Sequence, residues 1–291
     1  VKRVSNQKYV AFFFMLTASP GTALAATAEV TLDAGLPAIP TGLHLSKGAF
    51  FGGAVVGVSL GTVYQLVPPT KTSPNWSAKL AYVFSDYPGG AYPAGALVSD
   101  KAGNLYGGTF GGGIAPPYNN TGNGVLYKLT PPTGSQNSWS KQTIYVFQTP
   151  VSPLVKLAID AAGNLYLPSS GNVLKFTPPK AGSGPYTMTA IPIVAGYLAD
   201  QTSSVIVYLG KLYGVAESVS TAAPAYDIVY QLTPPTASGT QWTSRTLQSF
   251  ASNAAVGQLA LSANATLFGT TSPVGTGCDA ANCAVFELLE G

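Results

Sequence analysis

Acidic side chains are the chain's main resource for chemistry, because most other catalytic groups are missing. There are 11 carboxylates and one histidine, His44, so a zinc centre built on several histidines lacks its ligands. Acyl transfer by a serine nucleophile has no Gly-x-Ser-x-Gly elbow to use. Paired carboxylates are what remains, since two of them flanking a glycosidic bond suffice for hydrolysis. Asp100 and Asp160 open the sequences Asp-Lys-Ala-Gly-Asn and Asp-Ala-Ala-Gly-Asn, with Ser262 in the equivalent slot. Side-chain oxygens there can accept hydrogen bonds from the turn's own amides, so these three read as structural. Glu287 occupies a strand slot otherwise filled by Gln65, Lys128 and Gln231, which reads as an exposed polar position. The remaining acids that could matter are Asp33, Asp86, Asp200, Glu217, Asp227 and Asp279, all in connecting segments.

Aromatic rings beside such loops could stack on sugars or peptides. All three Trp sit in one recurring slot (below) and read as packing. The remaining loop candidates for ligand binding are Tyr87 and Tyr92 in DYPGGAYP, Tyr118 with Asn119 and Asn120 in PPYNN, Glu217, and Tyr226 with Asp227. His44 lies in a strand slot shared with Ser99, Ile159, Ile206 and Leu261, and is expected to be buried and satisfied. The Gly-rich stretch from Gly107 to Gly124 has no Lys and no following helix, both of which a phosphate loop needs. No Asp-x-Asp-x-Asp run marks a calcium loop. Cys278 and Cys283, in Cys-Asp-Ala-Ala-Asn-Cys, are the only cysteines and are expected to form a local disulfide, there being no further thiol to complete a metal site. No metal or cofactor is expected.

These residues are carried by a repeat. An alternating strand runs into two prolines in VYQLVPP from Val63, LYKLTPP from Leu126, VLKFTPP from Val173 and VYQLTPP from Val229, with VFELLEG from Val285 as a fifth version. Eight residues after the first proline come Trp76, Trp139, Tyr186 and Trp242, and eight further on Phe84, Phe147, Val194 and Phe250. Each unit shows four short β-branched or aromatic runs separated by Gly, Pro, Asn and Asp, the pattern of successive hairpins. Four strands repeated over 47 to 63 residues predict β-propeller blades. The expected units are 42–95, 96–156, 157–203, 204–258 and 259–291, in one domain spanning 27–291. The fifth unit is a strand short, and Ala28–Leu32 is expected to close the ring by pairing with Ala284–Leu288, because a propeller must hide its edges.

Residues 1–26 read as a secretory leader: Lys2, Arg3 and Lys8, an apolar run from Val10 to Ala18, then Ala23-Leu24-Ala25. The apolar run is about half of the ~20 residues a membrane span needs. Without those three cations the basic count falls from 14 to 11, equal to the acidic count. A near-neutral mature protein has no general field for phosphates, so nucleic acid is excluded as an expected partner.

The segment LVSDKAGNLYGGTFGGG…GNGVLYKLTPP, from Leu97 to Pro132, resembles the GloVer-type tandem repeat of exported bacterial proteins. Weaker copies occur at LAIDAAGNLY from Leu157 and LALSANATLFGTT from Leu259. More distantly the pattern is similar to NHL-type propeller repeats. The resemblance implies extracytoplasmic export and a propeller-like fold, and it implies no reaction. The expectation is therefore an all-β, five-bladed, monomeric propeller, secreted or periplasmic, with no membrane span after leader cleavage. Its expected role is non-catalytic binding or scaffolding at the cell exterior, toward a glycan or a cell-envelope protein. The alternative is an extracellular propeller enzyme acting on polysaccharide, with two or three of Asp86, Asp200, Glu217 and Asp227 converging at the pore mouth.

Overall fold

A computed structural model describes residues 10–11, 30–31, 39–55, 60–72, 76–113, 122–134, 138–149, 157–180, 184–199, 205–218, 227–236, 239, 241–250, 254–256, 259–262, 266–273 and 284–289. No helix occurs among them, and five small antiparallel sheets form a five-bladed β-propeller. Blade 1 runs Ile39–Ser46, Ala49–Val55, Thr62–Val67, Ser77–Val83. Blade 2 runs Ala91–Ser99, Leu105–Gly111, Val125–Thr130, Ser140–Val146. Blade 3 runs Ala158–Ile159, Leu165–Ser169, Asn172–Thr177, Thr187–Pro192. In blade 4 a split first strand, Tyr197–Ala199 and Ile206–Tyr208, precedes Lys211–Ser218, Asp227–Thr233 and Thr243–Phe250. Blade 5 likewise splits its first strand into Ala254–Val256 and Ala260–Leu261, followed by Thr266–Pro273 and Ala284–Leu289.

Burial orders the strands within a blade. The second and third strands of blades 1, 2 and 4 are largely buried, whereas the fourth strands of blades 1, 3 and 4 are mostly exposed. The first strand is therefore innermost and the fourth outermost. The first strands of blades 1 and 2 carry register shifts, between Pro40 and Leu43 and between Ala94 and Val98. Such bulges increase local twist and bend the strand, which suits strands gathered around an axis.

Facing blades share their cores, and the recurring aromatics explain how. Phe84, at the end of blade 1, meets Tyr127 of blade 2 edge-on at 5.2 Å. Phe147 meets Phe176 of blade 3 at 5.9 Å, and Phe250 meets Phe286 of blade 5 at 4.7 Å. Units 1, 2 and 4 thus insert a ring forward onto the third strand of the next, while the third unit carries Val194 in that slot. The Trp slot reaches the other way: Trp139 of blade 2 lies edge-on to Phe51 of blade 1 at 5.4 Å, and Trp242 packs on the cluster that contains Tyr166 of blade 3. Edge-on pairs are favoured by the ring quadrupole and add roughly 0.5–1.5 kcal/mol each beyond area burial.

A second interlock lies inside each blade, where a glycine of the second strand sits opposite an aromatic of the third. The pairs are Gly52 with Tyr64, Gly107 with Tyr127, Gly214 with Tyr230 and Gly269 with Phe286. A Cβ at Gly107 would lie 2.5 Å from the Tyr127 hydroxyl, and one at Gly214 2.4 Å from that of Tyr230. Blade 3 replaces the pair at both positions, with Leu167 opposite Leu174. The exchange is reciprocal: without a ring on the third strand, the second strand can carry a side chain.

The expected ring closure is corrected by the structure. Of Ala28–Leu32, the described residues Val30–Thr31 pair antiparallel with Val10–Ala11, not with the last strand. Ala284–Leu289 pairs with Thr266–Pro273, and no strand covers its other edge among the described residues. The observed partner lies about 20 residues away along the chain instead of some 250, and closing the shorter loop costs less entropy.

Candidate functional site

Strand direction alternates, so the connections of the ring separate onto two faces. Turns joining first to second and third to fourth strands share one face. Loops joining second to third strands, and blade to blade, share the other, where Tyr87, Glu217 and Asp227 lie. Tyr118, Asn119, Asn120, Tyr226, Asp200 and the Cys278–Cys283 pair lie outside the described residues.

Tyr87 and Tyr92 are brought together, edge-on with centroids 6.3 Å apart. Tyr92 holds φ at +59°, unusual for a non-glycine residue, and its amide donates to the Leu60 carbonyl of blade 1 at 2.7 Å. Burial, then the neighbouring Tyr92, raises the Tyr87 hydroxyl above its usual pKa. The loop between them is fastened from two sides. The Gly89 amide donates to Asp86 Oδ1, and Lys141 of blade 2 donates its ammonium to the Gly89 carbonyl and lies 5.8 Å above the Phe84 ring. Partial burial lowers the Lys141 pKa, with Asp86 opposing. Asp86 is thus part of the clamp that seats this loop.

On blade 4 the register Ala216↔Ile228 places Glu217 opposite Asp227 at the loop end of the sheet. Asp227 Oδ2 accepts the Val256 amide of blade 5 at 2.9 Å, so it also joins two blades. Glu217 is exposed and Asp227 half-buried. Of the four carboxylates that a catalytic pore would gather, the structure sets two side by side and ties one, Asp86, into its own loop.

The opposite face carries the Asp turns. Asp100 Oδ1 accepts the Asn104 amide at 3.0 Å, and Oδ2 accepts the Asn104 side chain at 2.7 Å and the Tyr106 hydroxyl at 3.0 Å. Asp160 repeats all three with Asn164 and Tyr166, at 2.9, 2.7 and 2.9 Å. Ser262 keeps the backbone part, accepting the Thr266 amide at 3.2 Å. Gly103 and Gly163 close these turns at φ +91° and +82°, a conformation that glycine adopts without strain. Burial alone would raise the Asp100 carboxyl, but the bonds from Asn104 and Tyr106 outweigh it and hold the pKa below the usual carboxylate value; Lys128 acts in the same direction. His44 is half-buried and its Nε2 lies 2.9 Å from Ser99 Oγ, tying the innermost strands of blades 1 and 2 together.

Between the Asp turns of blades 2 and 3 lies a cleft of about 640 Å³, within the range typical of small-molecule sites. Blade 2 contributes Tyr106, Lys128 and Gln142, and blade 3 contributes Pro178, Pro179 and Tyr186. Sequence reasoning missed it. The only signal was Tyr186, the one member of its slot that is not Trp.

Among the described residues no group of three or more His, Cys, Asp or Glu could hold a metal ion. No family model matches the chain, and no curated protein sequence does. Solved structures resemble it in fold. A protein of unknown function from Dyadobacter fermentans is 10% identical, with 83% of this chain and 77% of the other covered and a TM-score of 0.50. A gluconolactonase from Xanthomonas campestris is 13% identical over 86% and 72%, with a TM-score of 0.47. A luciferin-regenerating enzyme is 12% identical over 91% and 81%, with a TM-score of 0.49. Identities this low speak to the β-propeller fold alone.

Proposed function

We propose that this protein is an exported, non-catalytic propeller of the GloVer-repeat type that binds a glycan or a cell-envelope protein through its loop face. The observation that carries this reading is the employment of its acids. Asp86 seats the Tyr87–Tyr92 loop, Asp227 joins blades 4 and 5, and Asp100 and Asp160 close hairpin turns. A carboxylate oxygen that accepts a backbone amide already serves the fold as an acceptor. The Tyr87–Tyr92 pair remains as the recognition feature, offering ring faces and hydroxyls on a fastened loop.

Expression of the full chain in a secreting host tests the reading. The product is expected outside the cytoplasm, beginning near Ala26, and is expected to bind saturably on a glycan array or to retain a defined envelope protein. Tyr92→Phe together with Tyr87→Ala is expected to abolish that binding. Cytoplasmic retention, or binding indifferent to both substitutions, contradicts it.

One observation favours the enzymatic alternative. Cross-strand neighbours stand with Cβ atoms about 4.5–5.5 Å apart, and retaining glycosidases use carboxyl groups about 5–5.5 Å apart. Glu217 and Asp227 stand one residue beyond the paired Ala216 and Ile228, at the same end of one hairpin. Release of reducing ends from a polysaccharide, lost in Glu217→Gln and Asp227→Asn, would select it.

A further inference from the structure

We propose that the cleft between blades 2 and 3 is a second ligand site, on the face opposite the loops, and that it takes a neutral oligosaccharide. It is independent of the loop-face reading, since it shares no residue with it.

The cleft has a cause in the repeat. In the second and fourth units, the slot eight residues after the first proline packs back onto the preceding blade, whereas Trp76 packs on Phe50 of its own blade. Trp139 fills it against Phe51, and Trp242 packs on the cluster holding Tyr166. The third unit places Tyr186 there, against Tyr106. A phenol is smaller than an indole, and this one is held back. Its amide donates to the Ile144 carbonyl at 3.0 Å, and its hydroxyl shares a hydrogen bond with that of Tyr106, which in turn donates to Asp100. The Tyr186 ring is 9% exposed and lines the cleft.

Two unlike walls result. Blade 2 presents the Tyr106 hydroxyl, the Lys128 ammonium 5.9 Å above the Tyr106 ring, and the exposed Gln142 amide. Blade 3 presents Pro178, Pro179 and two alanines of its hairpin turn. A pyranose matches this division, having one apolar C–H face and a rim of hydroxyls that both donate and accept. Gln142 serves both hydroxyl roles, while Lys128 donates only. Charge sets the class. Two lysines and two aspartates line the cleft, and the carboxylates already accept turn amides. No excess of either sign remains to favour an ionised ligand. Such a volume accommodates about two to three sugar rings by the usual size of ligand pockets.

Tyr186→Trp is the decisive variant, because the other units show that this slot accepts Trp. Full-length protein would be titrated calorimetrically with neutral gluco-, galacto- and arabino-oligosaccharides of two to six units, and with the matching uronates. The expected result is saturable binding of a neutral series, weakened at least about tenfold by Tyr186→Trp at unchanged or raised Tm. Gln142→Ala and Lys128→Gln are expected to weaken it about threefold to tenfold. Tyr87→Ala is expected to leave it unchanged. Neutral-sugar binding indifferent to Tyr186→Trp but lost in Tyr87→Ala would overturn the cleft site and leave the loop-face reading standing. Binding of uronates alone, or of none of these sugars, would overturn the proposed class.

Discussion

Placing a side chain at Gly107 should be costly, and the cost should depend on Tyr127. In Gly107→Ala the new Cβ would stand 2.5 Å from the Tyr127 hydroxyl, 2.6 Å from its ring carbon Cζ and 2.8 Å from a Leu97 methyl. Tyr127 is 1% exposed and Leu97 1% exposed, so neither has solvent to move into. Overpacking of this kind costs about 1–3 kcal/mol, or a fall in Tm of several degrees at about 2–4 °C per kcal/mol. Tyr127→Leu alone leaves a void and should cost about 2 kcal/mol or more. Blade 3 shows what removes both penalties, since Leu167 faces Leu174 in the same register. The double variant Gly107→Leu with Tyr127→Leu should therefore be more stable than the two single changes predict, by about 1–3 kcal/mol of coupling. Urea denaturation of the four proteins, followed by circular dichroism, measures it. Strict additivity would refute the reasoning that the glycine exists to admit the ring.

Three further predictions concern the turns, the buried phenols and the blade interfaces. Folding depresses the Asp100 pKa below its unfolded value of about 3.9. Its stabilising contribution is therefore complete above that pH and lost as pH falls through the folded value. Wild-type stability should decline more steeply below about pH 4 than that of Asp100→Asn, which should already be less stable at pH 7; denaturation midpoints across pH read this. Burial raises the hydroxyls of Tyr64, Tyr127, Tyr166 and Tyr230 well above 10.0, the Tyr166 hydroxyl being raised further by Asp160. Tyrosinate absorbance should then appear in two stages, exposed phenols first and the buried set only with loss of the near-ultraviolet circular dichroism of the fold. Phe147→Ala removes a ring that is 3% exposed and meets both Tyr145 and Phe176. It should cost about 3–5 kcal/mol and should raise hydrogen exchange in blades 2 and 3 more than in blade 5.

Much of this architecture was legible because it is repeated. The Trp and Phe slots keep constant spacing from the prolines, and the structure shows Phe84, Phe147, Phe250, Trp139 and Trp242 packing onto neighbouring blades. Asp100, Asp160 and Ser262 were readable as turn residues because their slot recurred, and their hydrogen bonds recur with it. Departures from the repeat were harder to read. Tyr186 looks like one more aromatic of its slot, yet it lines the cleft between blades 2 and 3. Lys141 gave no local signal, since its clamp on Gly89 joins positions 52 residues apart. The closing strand was read from strand count alone, without weighing the leader as a competing partner for Val30–Thr31. Glu217 and Asp227 are ten residues apart in sequence, and only the register of their hairpin brings them side by side.

The central claim is recognition without turnover, and one experiment meets it most directly. Full-length protein would be incubated with each oligosaccharide or polysaccharide it retains, and the sugar then analysed for new reducing ends or unsaturated products. The account predicts saturable retention with the sugar recovered intact. Cleavage that disappears in Glu217→Gln and Asp227→Asn would contradict it and make the blade 4 carboxylates an active site.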